Sequence, residues 1–141
     1  MLKWNDVKND LFNVMIIFVI FVSVDVAYLS IMSSHFKGLV KRVQKSELVM
    51  DLVSTVLVYI VMVIPLYIIV FKLHHNRDVR EKSLLAALLG FTVYATYELT
   101  NKALFKDWDW TSVAIDTTWG VILYTFVTYN AYTTFISFNT Y

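Results

Sequence analysis

Three carboxylic acids stand in stretches otherwise too apolar for water: Asp25 in VIFVSVDVAYLSIM, Glu98 in GFTVYATYELT and Asp116 in SVAIDTTWGVIL. An ionisable group near a bilayer centre costs roughly 2.5–3.5 kcal/mol, so three without partners would cost about 8–10 kcal/mol. Residues able to partner them recur at helical spacing. Tyr94, Tyr97, Glu98 and Asn101 follow the i, i+3, i+4, i+7 pattern of one helix face. Asp116, Trp119, Gly120 and Leu123 make a second stripe that Asn130 extends, and Tyr28 stands three residues after Asp25. Phenol, indole and amide groups donate hydrogen bonds to carboxylates, which lipid cannot do. Acids so close would titrate as a coupled set retaining at least one proton, and such a set binds a cation or passes protons. The competing reading is structural. Glu98 and Lys102 are spaced for an i, i+4 ion pair at a membrane rim, and Asp116 could cap or border its helix. Polar contacts between membrane helices contribute only about 0.6 kcal/mol each on average.

The elements that would position these groups follow from composition. The chain has 141 residues, of which 58% are hydrophobic and 16% charged, against about 45–50% and about 25% in soluble domains. Its mean hydropathy is +0.61. Four apolar stretches meet the length of about 20 residues that a crossing needs: 11–32, 52–71, 83–101 and 113–138. The expected fold is an all-α integral membrane bundle of four transmembrane helices in a single domain. The second stretch carries no charge and contains Pro65, which should kink it. In an antiparallel path Asp25, Glu98 and Asp116 fall in the same half of the bilayer, with Asp51 starting the second helix at that face. Ser83, Ala86, Ala87 and Gly90 give the third helix small residues suited to close packing.

The connections are less decisive. MLKWNDVKND precedes a long apolar run, but Asp6 and Asp10 dilute its basic character and SVDVA is a poor cleavage site, so the first stretch reads as a retained helix. In the first connection, Phe36, Leu39, Val40 and Val43 alternate with Lys37, Lys41, Arg42 and Lys45. That pattern fits a short helix on the membrane surface, with those four cations as surface contacts, or an ordinary basic loop. KDWDW would place Trp108 and Trp110 in an aromatic belt. Basic residues divide six against six, with Lys3, Lys8, Lys72, Arg77, Arg80 and Lys82 opposite Lys37, Lys41, Arg42, Lys45, Lys102 and Lys106, so charge bias sets no orientation.

The formal charge of +1 argues against a nucleic-acid partner, and the lack of cysteine excludes disulfides and thiolate chemistry. Adjacent His74 and His75 point in different directions on a helix and lack a third ligand, so no metal is expected. No nucleophile, zinc or phosphate-loop pattern accompanies the serines and threonines, which leaves no expected cofactor and no sequence support for an enzyme.

The stretch GFTVYATYELTNKALFKDWDWTSVAIDTTWG, Gly90 to Gly120, resembles the signature of a bacterial membrane-protein family called domain of unknown function 2177, as does the earlier DVAYL from Asp25 to Leu29. The resemblance implies a four-helix membrane fold with motif positions at Asp25, Tyr28, Tyr94, Tyr97, Asn101, Asp116, Trp119 and Gly120. Glu98 stands where the family usually has Asp, which keeps the acid but lengthens its reach. The family implies no activity. Similar proteins of large DNA viruses would add a virion or envelope membrane to the bacterial inner membrane as settings. Three function classes result: a structural protein anchoring protein partners or a second copy in the bilayer, a proton- or cation-handling transporter or channel subunit, and a lipid-handling or intramembrane enzyme.

Overall fold

The computed structural model describes residues 4–139, with side chains for 7–135. Lys3 and Asp6, which entered the reading of the N-terminus, therefore lie outside the described positions or side chains. Among the described residues the fold is all-helical, at 85% helix, with no strand. The order is α1 (Trp4–Ile31), α2 (Ser33–Gln44), α3 (Leu52–Leu66) running into a π-helical turn (Tyr67–Lys72), α4 (Val79–Leu104) and α5 (Trp110–Asn139).

Among the described residues, three helices are long and apolar enough to cross a membrane: Val7–Ile31, Leu52–Lys72 and Val79–Leu104. Length and apolarity thus support three of the four expected crossings. The stretch at 113–138 does form a helix, the 30-residue α5, but Asp116, Asn130 and repeated Thr and Tyr lower its apolarity. The first connection resolves its two alternatives in favour of a helix: α2 spans 12 residues and ends at Lys45 in the left-handed conformation. Its buried Leu39 meets Trp108 and Val113, with Phe36 and Val43 alongside. Trp108 is thus turned into the protein at 7% exposed, whereas Trp110 is open at 65%.

The bundle is built around α4 and α5, which pack tightly at Gly90 and Gly120. A Cβ on Gly90 would lie 2.9 Å from the Gly120 carbonyl carbon and 2.9 Å from Tyr124 Cβ. Only hydrogen at this position lets the two backbones touch. α1 lies against α5 and α3, and the π turn reaches α1 and α4. The core joins Ile17 and Phe21 of α1, Val63 and Leu66 of α3, Ala86 of α4, and Leu123, Tyr124 and Val127 of α5. Leu11, Val19, Val53, Val61, Leu84, Leu88, Ile122 and Phe126 face outward. Burial in the bilayer is the natural end for such a surface.

Beyond Pro65 the helix widens into the π turn, with Leu73 N donating to Ile68 O at 2.8 Å. Tyr67, Val70 and Phe71 are all buried there. Lys82, counted from sequence among the six basic residues of one membrane face, is 2% exposed. Its ammonium donates to the carbonyls of Val70 at 3.4 Å, His75 at 3.3 Å and His74, and lies 5.8 Å over the Phe71 ring. A cation at these terminal carbonyls satisfies acceptors the π turn leaves unpaired and opposes the negative end of the helix dipole.

Candidate functional site

The buried polar groups assemble where α1, α3, α4 and α5 converge. Asp25 on α1 is 6% exposed and receives donors from each of the other three helices. Tyr59 of α3 donates at 2.9 Å, Trp119 of α5 at 2.8 Å and Tyr94 of α4 at 3.5 Å. Tyr28, one turn along α1, donates to Asp116 at 3.0 Å and stacks on Trp119 with ring centroids 4.1 Å apart. The three-residue spacing of Asp25 and Tyr28 on α1 thus matches the three-residue spacing of Asp116 and Trp119 on α5.

Glu98 has no exposed surface. Trp108 Nε1 donates to its Oε2 at 2.8 Å, and its carboxyl is in side-chain contact with that of Asp116. The expected rim ion pair with Lys102 does not form. Lys102 turns away to the Trp108 carbonyl at 2.7 Å, and its ammonium lies 5.9 Å from the Trp110 ring. Nor does Asp116 cap α5. Asp109 does so, accepting from the Ser112 amide at 2.7 Å and its hydroxyl at 2.9 Å.

Of the eight residues expected in the cluster, Asp25, Tyr28, Tyr94, Glu98, Asp116 and Trp119 are brought together. Tyr97 is not. It is 58% exposed and touches Trp108 edge-on at 6.2 Å. At 3.6 residues per turn, Tyr97 and Glu98 point about 100° apart, and the inward face centres on Glu98 and Ala95. Asn101 is half-buried with Nδ2 unpartnered, and Asn130 turns outward, donating to the Phe126 carbonyl at 2.8 Å. Sequence reasoning missed Tyr59, which was visible as the one phenol before Pro65 in an apolar helix. It also missed Tyr124, fully buried and edge-on to Phe21 and Tyr94 at 5.2 and 6.4 Å.

On the connection side, α2 is fastened over the ends of α4 and α5. Arg42 pairs with Asp109 at 2.7 Å, Lys45 with Asp107 at 3.2 Å, and His35 Nε2 meets Ser112 Oγ at 2.8 Å. Burial pushes the Asp109 carboxyl up, but the Ser112 amide and hydroxyl and the Arg42 charge outweigh it and hold it below the usual carboxylate range. Three of the four cations expected at the membrane surface are thereby in ion pairs within the chain, since Lys41 pairs with Glu47. Lys37 is exposed on the same helix.

The family signature of predicted membrane proteins known as DUF2177 matches residues 11–133. The chain belongs to that family. No curated protein and no solved structure matches it. The matched region runs from Leu11 in α1 to Thr133 near the end of α5 and takes in parts of all four helices that meet at Asp25. Among the described residues, no group of three His, Cys, Asp or Glu is placed to hold a metal ion. The chemistry within reach of the cluster is accordingly that of carboxyls facing phenols and indoles.

Proposed function

We propose that the chain crosses the bilayer four times and acts as a structural membrane protein, its rigid bundle anchoring protein partners or a second copy through the face that carries α2. The observation that carries this reading is the Asp25 carboxylate, whose three donors come from three different helices. A group used in that way fixes helix positions and leaves little capacity for a substrate.

The fourth crossing is supported by geometry rather than by apolarity. α4 and α5 are joined by residues 105–109 and pack side by side through Gly90 and Gly120, so whatever α4 spans, α5 spans in the opposite sense. A helix of 30 residues at 1.5 Å per residue reaches about 45 Å, beyond the ~30 Å hydrocarbon core. Its polar residues Asp116 and Trp119 point into the bundle, while Ile122, Phe126 and Tyr129 face out.

The chain has no cysteine, so single cysteines report sidedness without background. With four crossings, cysteines replacing Asn76 and Tyr141 should label from one side of sealed vesicles, and one replacing Lys37 from the other. Labelling of positions 37 and 141 from the same side would mean three crossings. The structural role is tested by reconstitution: proteoliposomes should pass protons and potassium no faster than protein-free vesicles, and Asp116→Asn should change nothing. A flux that disappears in Asp116→Asn would replace the structural role with transport.

A further inference from the structure

The three buried acids are not equally provided for. Asp25 receives three donors, whereas Glu98, with no exposed surface, receives one from Trp108 at Oε2. Its Oε1 is buried without a hydrogen-bond partner. In a non-aqueous site such an oxygen is unfavourable unless a hydrogen reaches it. The neighbouring group is itself an acid, for the Asp116 side chain of α5 adjoins that of Glu98 across the α4–α5 interface. Two ionised carboxyls have only acceptors to offer each other, so the unpartnered oxygen can be satisfied from this neighbour only when one of the two carries a hydrogen.

We propose that Glu98 and Asp116 hold one exchangeable proton between them, carboxylic acid to carboxylate, beneath the cover formed by α2 and the 105–109 connection. The inference goes beyond the structural role and does not depend on it. The groups facing the pair come from every adjoining element. α1 contributes Asp25 and the Tyr28 hydroxyl that donates to Asp116; α2 contributes His35; α4 contributes Tyr94; and the connection contributes Asp109 and the Trp108 indole. α3 reaches only as far as Asp25, through Tyr59. Among the described residues neither acid forms an ion pair with Lys or Arg. Two cations at this end of the bundle are engaged elsewhere, Lys102 on the Trp108 carbonyl and Arg42 on Asp109. With no fixed cation to balance two negative charges, a proton is the smallest group able to leave the pair with one. Loading takes one proton from water and changes the pair from two negative charges to one; unloading returns it.

Infrared spectroscopy of the full chain in lipid nanodiscs, in H2O and in D2O, reads this directly. The wild type should show at neutral pH a protonated-carboxyl stretching band that shifts on deuteration. That band should be lost in both Glu98→Gln and Asp116→Asn and kept in Glu98→Asp, which retains two acids even if the amide variants fold poorly. The surface variant Glu81→Gln should leave it unchanged. Absence of the band in the wild type at neutral pH would overturn the proposal, as would its survival in both amide variants. Its disappearance when sodium replaces N-methylglucamine at constant pH would identify a sodium site in place of a proton pair.

Discussion

Asp25→Leu is expected to destabilise the bundle by about 3 kcal/mol. The substitution removes the acceptor shared by Tyr59 and Trp119 at 2.9 and 2.8 Å and, more weakly, by Tyr94 at 3.5 Å. Each donor stranded in an apolar interior costs about 1–3 kcal/mol. The average contribution of a polar contact between membrane helices is only about 0.6 kcal/mol, because a chain unfolded in the membrane also finds partners. Two good donors lost at once place the sum between these limits. Asp25→Asn retains one acceptor oxygen but turns an amide NH2 toward groups that already donate, so a smaller loss of about 1 kcal/mol is expected. Thermal unfolding in detergent, followed by helical circular dichroism, measures both. If Asp25→Leu melts within about 0.5 kcal/mol of the parent, as a change at an unconstrained surface position would, the knot at Asp25 is not what holds the helices together.

Gly90→Ala should be at least as damaging, although it adds a single methyl group. The new carbon would lie 2.9 Å from the Gly120 carbonyl carbon and from Tyr124 Cβ, and nearer still to the Gly120 oxygen. The obstacle is backbone, which no rotamer change relieves, so α4 and α5 must separate along the interface that also carries Glu98 and Asp116. Overpacking typically costs about 1–3 kcal/mol, and a backbone collision belongs at or above the upper end. Gly38→Ala is the control. Its Cβ meets nothing closer than Arg42 Nη1 at 3.8 Å, and alanine is favoured over glycine within a helix by up to about 1 kcal/mol. Opposite signs for the two substitutions are therefore expected in the same melting experiment. Equal, small effects would mean that α4 and α5 do not approach as closely as described.

Much of this architecture could be read along the chain, because bilayer crossing is a local property: length and apolarity of a segment suffice to identify it, and they did so for the helices that became α1, α3 and α4. The spacing of Asp25, Tyr28, Asp116 and Trp119 likewise marked one face of each helix, since helical periodicity is carried by sequence alone. Contacts between helices are not. That Tyr59 rather than Tyr97 would reach an acid depended on how α3 and α4 are rotated in the bundle, and no residue spacing within one helix encodes that rotation. Lys102 was spaced to meet Glu98, yet the fold of the 105–109 connection brought a carbonyl to the lysine and an indole to the acid. Lys82 counted from sequence only as one basic residue of a membrane face, until the π turn after Pro65 and the residues following it delivered three backbone carbonyls to it. The sequence by itself determined which segments prefer lipid and which acids must be shielded from it. Only the tertiary structure decided which donors shield each acid and left one oxygen of Glu98 unpartnered, because those pairings are set by the distances between helices.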